Sequence, residues 1–400
     1  MNTLVTKVVD GVYYIGVNDR ETALFENMWP LPKGVAYNSY VIIDEKTALM
    51  DTVKAMSTEE FLDRLEIALD GRPLDYLVVH HMEPDHSGSI RSTIAKYPDV
   101  KIVGNKKTKE MLQLFYEISD ENFIEVKEGD KIELGKRSLQ FHMTPMVHWP
   151  ESMVSYESYD KILFSQDAFG SFGALDGAIF DDECDYEKYK DDTERYFVNI
   201  ISKYAKQTEK ALQKLSALDI KMILPVHGLV WRSHPEVILK RYQDLASQKL
   251  ENGVVLVYGS MYGNSKYMIE NVARYLAEEG IKDIQVFDVT KTHKSYITTE
   301  LWKKKGIILA SCSYDNGLYP PMADLLHTMK GNKMSGHVLG VAGTFSWSGG
   351  GVKNLVPLGE DSGYELLEDC VVEAKCAPKK DDLDKLRQLA KAMAEKLRGE

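Results

Sequence analysis

The chain has 400 residues, 44% of them hydrophobic and 28% charged, with a net charge of −12. That length predicts two domains, and the acidic balance with scattered basic residues argues against nucleic acid or an anionic membrane as a partner. Lys7, Asp10, Asp19 and Arg20 interrupt the first stretch, no later apolar run could span a bilayer, and Cys184, Cys312, Cys370 and Cys376 form no C-x-x-C pair; a cytoplasmic protein is expected, without signal peptide, membrane span, disulfide framework or cysteine-ligated metal module.

Up to about residue 248 short strands and helices alternate irregularly. Residues 8–17, 37–44 and 46–53 read as strands from their β-branched and aromatic content. Ser57 and Glu60 are spaced as a capping box for the helix that follows. A strand over 74–81 and a helix after Ser87 come next. Strands near 101–104, 122–126, 138–144, 152–158 and 161–166 precede a long helical stretch over 186–216, a strand over 221–228 and a helix after Pro235. Strands in succession with helices outside predict two sheets packed face to face and covered by helices.

After residues 248–253 the rhythm becomes strict alternation. Strands are expected at 254–258, 284–289, 306–311, 337–342 and 364–374, with helices between them. A last helix carries Leu383, Leu386, Leu389, Met393 and Leu397 on one face. Five strands in this rhythm imply a doubly wound parallel sheet, and the boundary falls near residue 250.

Two groups of residues carry chemistry. His80 and His81 end a strand and point to opposite faces, so one of them enters any given site. His81, Glu83, Asp85 and His86 lie where that strand breaks at Pro84 and Ser87-Gly88, a position where α/β proteins place ligands. The plain reading is a solvated polar loop. It would also have to explain His148, Asp167 and His227, each of which follows apolar residues at a strand end and precedes a turn. In the second half, residues 257–270 form a strand, a small-residue loop and a helix. Ser260, Tyr262, Gly263, Asn264 and Ser265 can offer N–H groups and hydroxyls to a phosphate. The loop lacks the G-x-G-x-x-G spacing of dinucleotide binders, and a flavodoxin-type grip on one terminal phosphate fits better. The loops over 310–321 and 342–351 fall on the same C-terminal edge of the sheet.

The spacing H-x-E-x-D-H followed by His148, Asp167 and His227 resembles the metallo-β-lactamase fold. With Glu83 in it and a flavodoxin-like half behind it, the whole chain resembles the flavodiiron proteins. The resemblance implies an N-terminal metallo-β-lactamase-like αββα sandwich over 1–249 that holds two non-haem irons. It also implies a C-terminal flavodoxin-like, FMN-binding domain over 250–400. His81, Glu83 and His148 would bind one iron and Asp85, His86 and His227 the other, with Asp167 bridging. His86 is the ligand whose equivalent in the family leaves the coordination sphere in some states. FMN would lie against Ser260, Met261, Tyr262, Gly263, Asn264 and Ser265, against Ser311, Cys312, Ser313, Tyr314, Asn316 and Gly317, and against Thr344, Phe345, Ser346, Trp347 and Gly349. Family members usually read Pro-Thr at Cys312-Ser313 and Gly at Ser346, so contacts there depart from the family pattern.

Glu83 has a chemical reading of its own. Zinc hydrolases of this fold carry His there, and a carboxylate in its place gives three hard oxygen donors to four imidazoles, a set that favours iron or manganese. The expected function is therefore an oxidoreductase passing electrons through FMN to a diiron site that reduces nitric oxide to nitrous oxide, dioxygen to water, or both. The alternatives are a dinuclear zinc hydrolase fused to a flavodoxin-like domain, and an electron carrier or sensor with a vestigial metal half. Trp149, Tyr37 and Tyr196 are candidates for the pocket wall. An external donor is expected, a rubredoxin-type carrier or, alternatively, a deazaflavin coenzyme. A head-to-tail homodimer is expected too, in which each flavin serves the partner's irons, with a dimer of dimers as the next larger assembly.

Overall fold

The structure, a computed structural model, describes residues 4–399. Between Ser247 and Gln248 the chain divides into two compact units.

Among the described residues, the first unit has a seven-stranded and a five-stranded sheet. Tyr40 of the first packs edge-on against Phe164 of the second with ring centroids 5.8 Å apart, so the sheets meet face to face. Helix Thr58–Leu69 covers one side by burying Phe61, Leu65 and Leu69. The parallel strands Thr47–Met50, Tyr76–Val78 and Lys101–Gly104 sit in the larger sheet. Strands Ile162–Gln166 and Met222–Pro225 run parallel in the smaller one. Parallel neighbours end on the same side, which gathers their following loops at one rim.

Several local expectations are corrected. The run 8–17 breaks at Asp10-Gly11 into a hairpin of Thr6–Val9 and Val12–Tyr14, because Gly11 takes a left-handed conformation (φ 80°). The run 37–44 splits at Asn38, whose side-chain amide donates to the carbonyls of Pro225 and Gly228 instead of facing a sheet partner. Ser57 caps nothing with its side chain, since it closes a preceding 3₁₀ turn, and Glu60 pairs with Arg64. The stretch 186–216 holds two α-helices, Glu187–Tyr196 and Ala205–Leu215, joined by a π turn (Phe197–Ile201) and a 3₁₀ turn. Helix Lys106–Tyr116, capped by Asn105, and the small hairpin Leu24–Phe25/Trp29–Pro30 were not legible in the pattern.

The second unit is a parallel sheet in which the strands, taken in chain order, lie side by side as 2-1-3-4-5, the flavodoxin-like arrangement. The fifth strand comes in two pieces, Glu365–Leu366 and Val372–Lys375, both paired with Val338–Phe345. Leu366 to Val372 lies opposite only Leu339 to Ala342, so the charged Glu368–Cys370 turn loops out. Leu386, Leu389, Met393 and Leu397 of helix Lys380–Arg398 pack with Met268, Val272 and Leu276 of helix Asn264–Glu278 in one core, and Leu383 lies at its margin.

Candidate functional site

Strand Tyr76–Val78 ends two residues before the histidine pair, and the chain then runs into a single helical turn, Pro84–Ser87. Pro84 opens that turn at the position where its missing N–H costs nothing. The turn is stapled on both sides: Ser87 Oγ donates to the Met82 carbonyl at 2.8 Å, and the His86 carbonyl accepts from Thr52 N–H and Oγ at 3.0 and 2.7 Å. His80 turns away, its ring nitrogens 2.7 Å from Asp51 Oδ2 and 2.8 Å from Ser155 Oγ. His81 faces the opposite way, toward the rim where His148, Asp167 and His227 arrive.

The seven donors are buried, none more than 9% exposed, and form two groups. In the first, Glu83 Oε2 lies 3.2 Å from His81 Nε2 and 3.0 Å from His148 Nε2. In the second, His86 Nε2 and His227 Nε2 are 2.9 Å apart, and Asp85 Oδ2 is 3.3 and 3.4 Å from them. Asp167 stands between. Its Oδ2 faces His81 and His148 at 3.0 and 3.3 Å, and its Oδ1 faces His86 and His227 at 3.4 Å each.

The electrostatics explain why such a cluster wants cations. Burial works against charge on His81, Glu83, His148, Asp167 and His227. Burial raises the Glu83 carboxyl, but hydrogen bonds from His148 and His81 outweigh it and hold it well below the usual range. The same contest, won by the neighbouring imidazoles with His81 foremost, holds Asp167 down. Burial lowers His148 and His227, yet the bonded carboxylates, Asp167 first, push them up to about 9 and about 10. The cluster thus demands positive charge at its centre, which protons or metal ions can supply. Among the described residues, the oxygens of Asp85 and Oδ2 of Asp167 are buried with no partner other than the imidazoles, and Nδ1 of His86 is buried with none. Carboxylate oxygens so placed suit coordination of hard cations, and the seven donors fit a pair of metal ions.

The surroundings hold and wall the cluster. Tyr196 donates its hydroxyl to Asp167 Oδ1 at 2.8 Å. Gly170 leaves room for this, since a Cβ there would come within 2.9 Å of the Asp167 carbonyl and 3.1 Å of the Tyr196 ring. The Trp149 ring lies 5.2 Å from His81, and Tyr37 lies 5.6 Å from His227. Two acids were missed. Glu151 Oε1 accepts from His81 Nδ1 at 2.8 Å, and a carboxylate three residues past His148 was a signal that could have been read. Glu26, on the small hairpin, stands at the surface with its carboxyl end turned in. Burial of that end and then the charge of Glu83 push it up to about 7, against an indole N–H from Trp29 at 2.9 Å. Nothing in the sequence pointed to it.

In the second unit the loops after strands Glu251–Gly259, Lys304–Tyr314 and Val338–Phe345 enclose a cavity of about 60 Å³. It is lined by Ser260, Met261, Tyr262, Asn264, Cys312, Ser313, Thr344, Phe345 and Ser346, together with Cys376, which was not anticipated. Gly263, in a left-handed conformation (φ 92°), turns the chain into helix Asn264–Glu278, and its N–H bonds Ser260 Oγ at 3.1 Å. The other expected residues belong to the same three segments but do not line this cavity. Ser265 is buried beneath it against Thr344 Oγ1 at 3.1 Å, and the Ser311 hydroxyl donates to the Cys312 carbonyl. Tyr314, Asn316 and Gly317 form a hairpin tip, Trp347 is 86% exposed, and Gly349 lies by Glu373. Ser313 Oγ accepts from the N–H groups of Gly350 and Gly351 at 2.8 and 2.9 Å, so it ties the end of strand Lys304–Tyr314 to the loop after Val338–Phe345. A helix N-terminus, a left-handed glycine and hydroxyls around one small cavity fit a phosphate group.

Residues 35–228 match a family model described as the ODP family beta lactamase. A solved structure, the rubredoxin oxygen:oxidoreductase of the anaerobe Desulfovibrio gigas, superposes with a TM-score of 0.94 at 31% identity over 99% of both chains. The chain is also 30% identical to the anaerobic nitric oxide reductase flavorubredoxin of Escherichia coli O1:K1, over 97% of its own length and 81% of that protein. The flavodiiron protein of Giardia intestinalis gives a TM-score of 0.93 at 26% identity, over 99% of this chain and 97% of that one.

This chain belongs to the flavodiiron protein family.

It is accordingly an oxidoreductase whose cofactors are FMN and a non-haem diiron centre. The zinc-hydrolase alternative is not favoured, because the likeness to oxidoreductases runs through both units and not through the first alone. No helix among the described residues is long and apolar enough to cross a membrane.

Proposed function

We propose that this flavodiiron protein takes electrons from an external rubredoxin-type carrier through FMN to its diiron site, and there reduces nitric oxide to nitrous oxide, dioxygen to water, or both. The observation that carries this reading is Asp167, one buried carboxylate turned by its two oxygens toward two separate donor groups. When bound, FMN supplies one-electron relay, and the adjacent irons supply two redox centres for one small gas molecule.

The chain's own residues set the conditions. His81, Glu83 and His148 would hold one iron, Asp85, His86 and His227 the other, and Asp167 both. Tyr196 steadies Asp167 through its hydroxyl. Trp149 and Tyr37 press on the imidazoles and keep bulk water off them. Ser260 to Ser265 would grip the FMN phosphate. The cavity is small, so the isoalloxazine would lie over the exposed tips near Tyr262, Tyr314 and Trp347. The four cysteines, none joined in a disulfide, suit a reducing compartment, the cytoplasm.

The working unit in this reading is a head-to-tail homodimer in which each flavin serves the partner's irons. Exposed Tyr262 and Trp347 on the flavin edge support it, as do exposed Leu114 and Phe115. These two lie at the end of the helix whose Tyr116 meets Ser87 of the ligand turn at 2.7 Å. The test of the activity is anaerobic purification, metal and flavin analysis, and single turnover of the reduced protein with each gas. Two irons and one FMN per chain with gas consumption are expected. Stoichiometric zinc with no gas turnover after iron reconstitution would overturn the reading. Parallel reduction by rubredoxin and by a deazaflavin coenzyme separates the two donors.

A further inference from the structure

The two donor groups have the same composition: two imidazoles, one carboxylate of their own, and one oxygen of Asp167. Ligand identity therefore gives neither ion the higher positive charge. The difference lies one layer out. On the first side His81 donates its Nδ1–H to Glu151 Oε1 at 2.8 Å, and the same oxygen accepts the Met82 N–H at 2.9 Å. Glu151 is 1% exposed, and its Oε2 has no hydrogen-bond partner among the described residues, so its charge is spent on His81 and one backbone amide. On the second side His227 donates its Nδ1–H to the backbone carbonyl of Ala36 at 2.7 Å, a neutral acceptor, and His86 Nδ1 is buried without a partner among the described residues. Both contacts fix the tautomer that turns Nε2 inward. Only the carboxylate also pushes electron density into the ring and makes it a stronger donor.

We propose that Glu151 is a positioning residue that makes the iron on His81, Glu83 and His148 the easier of the two to oxidise. If the seven donors held a diferrous pair, loss of one electron to a one-electron oxidant such as an oxidised mediator would leave the higher charge on the Glu151 side and the lower on the His227 side. The step removes one electron and no proton, since the Nδ1 proton of His81 stays between the ring and Glu151. Glu151 thereby stabilises the half-oxidised pair against disproportionation. The inference rests on the diiron reading above.

The test is a mediated redox titration of the FMN- and iron-loaded full chain, following the half-oxidised pair by electron paramagnetic resonance and ⁵⁷Fe Mössbauer spectra. Glu151→Gln keeps the shape and one acceptor oxygen but removes the charge. It is expected to raise the first iron potential and to lower the comproportionation constant about tenfold, ~59 mV in the separation of the two iron potentials. The FMN potentials should not move, because the flavin loops belong to the other unit. Glu151→Asp keeps the charge at a longer reach and should fall between. Unchanged iron potentials in a Glu151→Gln protein with full iron would overturn the proposal and leave the diiron reading intact. Loss of iron from both variants would assign Glu151 to folding alone and overturn it as well. An unmutated protein with no iron signal at all would instead sink the diiron reading itself.

Discussion

The candidate metal site and the candidate flavin cradle are both built at the C-terminal ends of strands, yet they differ in how finished they are. The seven candidate metal donors are buried and oriented by neighbours that are also buried. The cradle is a small cavity under exposed tips, with Tyr262 92% and Trp347 86% in solvent. The chemistry asks for this difference. Dehydrated charges have to be held against their own repulsion, so a hard-metal site is rigid and closed. A flavin that exchanges electrons with a carrier needs an open edge.

The comparison predicts that the two sites fail separately. Asp167→Ala removes the one residue common to both donor groups. Iron should fall to near zero and gas turnover with it, while FMN content and flavin absorbance stay unchanged. Elemental analysis and a visible spectrum check this, and retained iron would mean that the donor groups are independent.

Gly263→Asp should do the reverse. It forces a side chain into a left-handed position and sets a negative charge on the phosphate loop. FMN affinity should drop about a hundredfold, roughly 2.7 kcal/mol, with two irons retained. Mixing these two dead variants, after unfolding and joint refolding with both cofactors, sharpens the comparison further. Random pairing leaves about half the dimers mixed, each with one complete flavin–iron pair, so turnover should return to about a quarter of the unmutated level. Verified mixed dimers without activity would place each flavin with its own chain's irons.

Glu83→His addresses the metal side alone. It rebuilds a hydrolase-type donor set and should shift preference from iron toward zinc in competition with both metals, leaving FMN reduction by dithionite untouched. Full iron content with full gas turnover would show that Glu83 does not set the metal.

The smallest effect belongs to the flavin side. His337, buried and donating its Nδ1–H to the Lys304 carbonyl at 2.8 Å, is lowered by burial to about 4. The unfolded chain takes up that proton near pH 6.5 and the folded unit refuses it until about pH 4. The contribution is therefore fully present above pH 6.5 and is lost as pH falls toward 4, by at most about 1.4 kcal/mol per pH unit. Thermal melts of the full chain, followed by FMN release between pH 7 and 4, should show less pH dependence in His337→Gln. An unchanged slope would mean that His337 titrates normally.

What the sequence determined by itself is what local pattern encodes. The βαβ rhythm after residue 250, the apolar stripe from Leu386 to Leu397 and the donors placed after apolar strand ends were legible, because each depends on residues within a few positions of one another. The tertiary structure decided everything that depends on distant segments meeting. It sent His80 to Asp51 and Ser155 and His81 to the metal side. It took Glu60 away from Ser57 and gave it to Arg64, and it brought Glu151, Glu26 and Cys376 into sites where no motif announced them. His227 and Ala36 are 191 positions apart and 2.7 Å from each other. No spacing rule spans such a gap, because the contact is fixed only when buried polar groups must find partners in a closed core.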